Sequence, residues 1–198
     1  LPEKAIIRTT TSQTNERSYS GMTIPVSQLI QSHKRTIADW PKTGVNFIDI
    51  LSMLAEHPGD LEAIVTTFKE RCLEVKPDGI IAIDARGFIF ASPLAYSLGI
   101  PLLVVRKEGK LPPPTVAVDY ALEYGTATLE IAPATLKNKK KLVLVDDILA
   151  TGGTAKAVIE LCGRYEVKIV EAMFVGEITA LPGRAALGDV PVYACTQF

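Results

Sequence analysis

The chain has little cysteine, little histidine and no excess of charge of either sign. Its three Cys stand at 72, 162 and 195, an odd number without metal-ligand spacing, which argues against a disulfide framework and a zinc site. They read as buried or free thiols of a reducing compartment, and the expected location is the cytoplasm. The two His, His33 and His57, lie far apart with no Ser or Cys nucleophile motif, which excludes a catalytic triad. A formal net charge of −1 excludes a nucleic acid or a membrane surface as the main partner. No apolar run approaches the length of a membrane span, and the opening Leu-Pro-Glu-Lys lacks a signal peptide's apolar core. Neither a Walker phosphate loop nor a Gly-x-Gly-x-x-Gly dinucleotide fingerprint is present.

What remains is an ordinary globular composition, 47% hydrophobic and 22% charged over 198 residues, enough for one domain with a sizeable core. Residues 1–24, polar and rich in Thr and Ser, read as a loose arm, and 25–198 as a single domain. Val26, Leu29, Ile30, His33 and Ile37 recur at helical spacing, which predicts a helix over Pro25–Ile37. Residues 40–50 read as a turn and an extended piece, and Asp60 as the cap of a helix reaching about Leu73.

The informative stretch is 141–165. Leu142–Val145 is an unbroken apolar run, the pattern of a strand buried on both faces. Asp146 and Asp147 stop it, and Ile148–Thr154 follow as a loop containing Gly152 and Gly153. Ala157, Val158, Leu161 and Cys162 then recur at helical spacing up to Gly163. A glycine pair before a helix lets backbone N–H groups approach a phosphate, with the helix dipole behind them. Thr151 and Thr154 add hydroxyls. Successive carboxylates on a strand point opposite ways, so one can bond a sugar diol while the other stands near a metal or a cationic intermediate.

Two further strands end in charge. Gly79–Ile83 runs into Asp84-Ala85-Arg86-Gly87-Phe88 and a helix to Leu98. Pro101–Val105 runs into Arg106-Lys107-Glu108-Gly109-Lys110. Guanidinium groups bind phosphate oxygens in pairs, so both turns suit a diphosphate. Tyr120–Glu123 and Thr126–Ile131 predict a hairpin around Gly125, readable as a mobile flap. Further strands are expected over Val167–Val175 and Val190–Ala194, with a short helix at Arg184–Leu187. Strands alternating with helices imply an α/β fold whose central, mostly parallel sheet carries ligand at the strand carboxyl ends.

Four motifs in order, Pro-Lys-Thr-Gly-Val-Asn-Phe-Ile-Asp-Ile, Asp-Ala-Arg-Gly-Phe, Ala-Leu-Glu-Tyr-Gly-Thr-Ala-Thr-Leu-Glu and Asp-Asp-Ile-Leu-Ala-Thr-Gly-Gly-Thr, resemble those of the type I phosphoribosyltransferases, in their adenine-specific form. The resemblance covers about residues 25–198. It implies that family's fold, with a flexible hairpin flap and a small N-terminal hood segment. It implies transfer of ribose 5-phosphate from phosphoribosyl pyrophosphate (PRPP) to adenine, giving AMP and pyrophosphate, with Mg²⁺ as cofactor and a homodimer as the assembly. By the same resemblance Asp146 and Asp147 hold the ribose hydroxyls, and Ala150, Thr151, Gly152, Gly153 and Thr154 wrap the 5′-phosphate. Ala85, Arg86, Arg106, Lys107 and Lys110 face the pyrophosphate, and the Asp84–Ala85 peptide is cis. Asn46, Phe47 and Ile48 form the adenine segment, with Phe47 stacking on the purine and the Asn46 backbone reading its Watson–Crick edge. Many family members carry Arg where this chain has Ile48. Glu123 closes near the base as the catalytic group, with Tyr124 beside it over the pyrophosphate. Mg²⁺ is held mainly by substrate oxygens, with Asp146 as the protein carboxylate nearest to it. Hypoxanthine or guanine specificity is the alternative within the family. A PRPP-sensing regulator on the same fold is the alternative outside catalysis, but it usually adds a DNA-binding segment, for which the 24 residues before Pro25 are too few.

Overall fold

The computed structural model describes residues 24–121 and 126–198. Most of the arm expected over 1–24, and the loop tip with Glu123 and Tyr124, lie outside the described residues. In chain order the elements are α1 (Val26–His33), β1 (Arg35–Ile37), β2 (Phe47–Asp49), α2 (Ile50–Glu56), α3 (Gly59–Val75), β3 (Gly79–Ile83), α4 (Gly87–Leu98) and β4 (Leu102–Lys107). There follow β5 (Val116–Ala121), β6 (Thr126–Ile131), α5 (Pro133–Leu136), β7 (Lys141–Leu149), α6 (Gly153–Gly163), β8 (Lys168–Glu177), α7 (Gly183–Ala186) and β9 (Val192–Gln197).

The larger sheet has seven strands in the order β5-β6-β4-β3-β7-β8-β9. The neighbours β4, β3, β7, β8 and β9 pair in parallel, whereas β6 runs antiparallel to both β4 and β5. The chain moves from β3 outward to β4 and later returns to the other side of β3 to lay down β7. The carboxyl ends of β3 and β7 therefore form the topological switch point, where open α/β sheets take their ligands. The strands bury both faces because helices cover both. Leu142 and Leu144 pack with Val158 and Leu161 of α6, while Val143 and Val145 pack with Phe68 of α3 and Phe90 of α4. Alternation along one strand thus feeds two apolar layers. Cys72, Cys162 and Cys195 are free and buried in these layers, and burial pushes each thiol up to about 12. Among the described residues no helix is long and apolar enough to cross a membrane.

Several local expectations are corrected. The helix expected to reach Ile37 stops at His33, and Arg35–Ile37 instead pair with Phe47–Asp49 in a two-stranded antiparallel sheet. Helical periodicity continues through Ile37, but the β-branched Thr36 and Ile37 gain strand partners there, Ile48 and Phe47, that lie beyond the following turn. The Asp60 carboxylate does not cap its helix. Pro58 holds the N-cap position, and Asp60, almost fully buried in the first turn, sits 2.9 Å from His33 Nδ1. Strand β7 runs to Leu149, so Ile148 and Leu149, expected in the loop, belong to the strand, because both continue the ladder with β8.

One charged pair lies inside the layers, away from the switch point. Glu171 of β8 is buried and takes both Nε and Nη2 of Arg71 on its Oε1, while its Oε2 is buried without a hydrogen bond among the described residues. Breaking such a pair leaves an uncompensated buried charge, whereas replacing both partners by apolar groups is often neutral or better. Arg71→Met should therefore destabilise the protein by about 2–4 kcal/mol. The double variant Arg71→Met/Glu171→Met should recover most of that loss in a urea titration.

Candidate active site

Three strand ends deliver the side chains. At the end of β3 the chain passes through Asp84, makes a cis peptide to Ala85, and enters α4 behind Arg86. Helix α4 starts hard against β7: a Cβ on Gly87 would lie 2.7 Å from the Val145 carbonyl oxygen and 3.1 Å from Asp146 Oδ1. Only a residue without a side chain allows that approach. It brings Arg86 Nε to 2.8 Å from Asp147 Oδ2. The contact is an ion pair rather than an aligned hydrogen bond, since Oδ2 accepts none among the described residues. The same guanidinium lies over the Phe47 ring, 5.8 Å from its centroid. Trp40 meets Phe47 edge-on at 4.5 Å.

The acidic pair is asymmetric. Asp147 is 2% exposed, whereas Asp146 keeps part of its surface. Burial, and then the charge of Asp147, pushes the Asp146 carboxyl well above its ordinary 3.8. Its Oδ1 accepts a hydrogen bond from the Asp147 N–H, which favours the charged form but not by enough to reverse the direction.

After β7 the loop turns at Gly152, which has φ +81° and serves as N-cap of α6. Thr151 is exposed beside it, Ala150, Gly153 and Thr154 are half-buried, and the first N–H groups of α6 have no carbonyl ahead of them in the helix. On the other side of β3, Arg106 at the end of β4 is held by Asp84, 3.2 Å away, and donates from Nη1 to the Lys110 carbonyl at 3.1 Å. Lys107 and Lys110 are exposed. The buried Glu130 accepts a bond from the Gly109 N–H and so fixes the turn that carries the lysines.

Phe47, Arg86 and Asp147 are thus brought into one contact chain. Asn46 is exposed, and Ile48 packs against the apolar layer of Phe68 and Phe90. Asp49 caps α2, accepting from Ser52 N at 3.0 Å and from Ser52 Oγ, bonds that hold its carboxyl below the usual range. The described residues contain no group of three or more His, Cys, Asp and Glu able to cage a metal.

The phosphoribosyl transferase domain family matches residues 51–177. An adenine phosphoribosyltransferase of Carboxydothermus hydrogenoformans is 44% identical over 162 residues, 82% of this chain and 95% of that protein. The crystal structure of the enzyme from Thermoanaerobacter pseudethanolicus superposes with a TM-score of 0.81 at 37% identity, covering 86% of this chain and 99% of the other. That from Saccharomyces cerevisiae, solved with adenine and an imino-altritol bisphosphate, gives 0.78 at 33% identity over 86% and 98%. The chain belongs to the adenine phosphoribosyltransferase family.

As a family member it is a glycosyltransferase with the type I phosphoribosyltransferase fold. Three contributors to this site were missed in the sequence. Asp84 and Glu130 orient the cationic turn, but their partners lie 22 and 21 residues away. Gly183, packed against Ala150 and Leu149 under the loop after β7, stands in a stretch without a motif, marked in the sequence by a Pro-Gly pair before a short helix.

The direction of the Asp146 shift has a measurable consequence. Folding raises this pKa, so the group's favourable contribution is present below 3.8 and is lost as pH rises from there through the folded-state value. Asp146→Asn should raise the Tm of the unliganded protein near neutral pH and leave it unchanged below about pH 3.8. Thermal melts across that range check it.

Proposed function

We propose that this family member transfers ribose 5-phosphate from PRPP to adenine, releasing pyrophosphate and forming AMP. One observation carries the reading: Arg86 touches both Asp147 of the acidic pair and Phe47 of the hood. A single guanidinium therefore marks where a ribose, a diphosphate and a planar base would meet.

The residue roles follow from what each group can bond. The Ala150–Thr154 turn offers backbone N–H groups and hydroxyls to a 5′-phosphate. Asp146 and Asp147 accept the ribose hydroxyls. Arg86, Arg106, Lys107 and Lys110, with the Ala85 peptide, face the diphosphate and stabilise the charge that builds on it as the bond to C1 lengthens. The positive charge left on the ribose then lies beside the acidic pair, a fixed arrangement of dipoles and charges that needs no reorganisation. Phe47 stacks on adenine, and the backbone at Asn46 and Ile48 reads its edge, since the Ile48 side chain is turned into the core. Glu123, with Tyr124 beside it, takes or orients the proton that leaves the attacking ring nitrogen. Closure of the β5–β6 hairpin over the site would exclude water.

Mg²⁺ fits this donor set. Asp146 is a partly exposed carboxylate whose ionised form is disfavoured, and Asp147 is already paired with Arg86. A cation would therefore be held by Asp146 and, mainly, by substrate oxygens, where it would offset the diphosphate's negative charge. The buried, free thiols suit a reducing cytoplasm, and the assembly is read as a homodimer.

Incubation with PRPP, Mg²⁺ and each of adenine, hypoxanthine, guanine and orotate should give nucleotide from adenine alone; product only from another base would sink the substrate assignment. Phe47→Ala should raise KM for adenine by about 10- to 100-fold, the worth of one base–aromatic stack, with KM for PRPP little changed. Glu123→Leu should lower kcat strongly at nearly unchanged PRPP affinity. Steady-state kinetics with each substrate varied in turn reads both.

A further inference from the structure

The loop after β7 rests on a second piece of backbone that the reaction itself does not use. Gly152 and Gly183 face each other across it. A Cβ on Gly152 would lie 2.6 Å from the Gly183 carbonyl oxygen, 2.9 Å from Leu187 Cδ1 and 3.0 Å from Ala186 Cβ. A Cβ on Gly183 would overlap the Ala150 carbonyl oxygen and come within 2.8 Å of Leu149 Cγ. The contact is reciprocal, main chain on main chain, and neither side can shift by moving a rotamer.

Gly183 is held in place from the sheet. Arg184, the next residue, donates from Nε and Nη2 to the two carboxylate oxygens of Glu177 at 3.1 and 2.6 Å. Its Nη1 donates to the Val192 carbonyl at 2.8 Å. Glu177 ends β8 and is 5% exposed. Just past it, the Ile178 N–H donates to the Leu149 carbonyl at 2.9 Å. The fork-shaped pair is the geometry in which guanidinium and carboxylate fix each other's orientation. Together these bonds link the end of β8 and the start of β9 to α7, and α7 to the underside of the loop.

We propose that Gly183, Arg184 and Glu177 are positioning residues for the 5′-phosphate. They set the backbone of Ala150–Thr154 from below, so that its N–H groups converge on one point, without touching the ligand themselves. The proposal rests on the reading of that loop as the phosphate site.

The test compares AMP with adenosine, which differ only in the 5′-phosphate, by calorimetric titration of the full chain. Wild type should bind AMP more tightly than adenosine. Gly183→Ala should cut AMP affinity by about tenfold or more, since a misplacement of about 1 Å can cost about 100-fold at a preorganised site, with adenosine affinity unchanged. Arg184→Ala should reduce the AMP preference in the same sense by a smaller factor, about threefold, because the glycine contact survives. A folded Gly183→Ala protein that keeps the wild-type preference, or that loses both ligands in parallel, overturns the proposal. If Gly183→Ala does not fold, Arg184→Ala decides: an unchanged preference overturns the proposal and a reduced one supports it. A wild type that does not prefer AMP overturns the phosphate reading of the loop and the proposal with it. That failure is seen before any substitution is made.

Discussion

Asp147 occupies the middle of a sheet, in a strand paired on both sides and covered by helices on both faces. A carboxylate there costs several kcal/mol unless a cation meets it, and among the described residues the cation paired with it is Arg86. Much of the local structure follows from bringing that guanidinium in. Helix α4 has to begin against β7, which requires Gly87. The turn before it has to reverse direction within Asp84 and Ala85. Once Arg86 is seated, its free face is the surface on which Phe47 of the hood rests. The β2 strand, the β3 turn and the acidic end of β7 are separated by nearly a hundred residues of chain, and one ion pair, of a buried carboxylate with a half-exposed guanidinium, registers them against each other.

The opposite side of the same strand end is built differently. There the buried charge, Glu177, lies below the loop and is met by Arg184, and the constraint on the loop itself is the distance between main chains at Gly152 and Gly183. Two kinds of close approach therefore flank the end of β7, one electrostatic through Arg86 and one steric through glycine. This makes the order of residues 146–154 intelligible. The carboxylates come while the chain is still in the ladder, where neighbours can hold them, and the glycines come where the ladder ends and backbone must meet backbone.

What could be read in the sequence divides along the same line. Strands such as Gly79–Ile83 and Leu142–Val145 announce themselves because burial on both faces leaves only apolar residues. The α6 stripe is a local pattern and was legible, as was the Asp-Asp to Gly-Gly-Thr succession. Features set by distant partners were not. The Arg35–Ile37 segment reads as helix until Phe47–Asp49 is known to lie beside it. Asp60 looks like a cap until His33 is found above it. Glu177 carries no local sign of its pair with Arg184, which a turn and a short helix bring back to it. Gly183 carries no side chain by which to be noticed. Its role is visible only as the overlap that any other residue would create.

The electrostatics at Asp146 show how the site differs from the core around it. Elsewhere in the layers the chain answers a buried charge with a partner, as Arg71 answers Glu171 and Arg184 answers Glu177. At β7 it places a second carboxylate next to the first and supplies a single guanidinium, so the pair is under-compensated and the Asp146 proton is held more tightly than in water. Such an arrangement weakens the unliganded protein and favours any species that brings positive charge or hydrogen-bond donors to that spot. In the function proposed above, a ribose would offer donors in its hydroxyls, and its C1 would become positive only as the leaving group departs. On that proposal the imbalance favours the transition state over the ground state, which is the sense in which fixed charges accelerate a reaction.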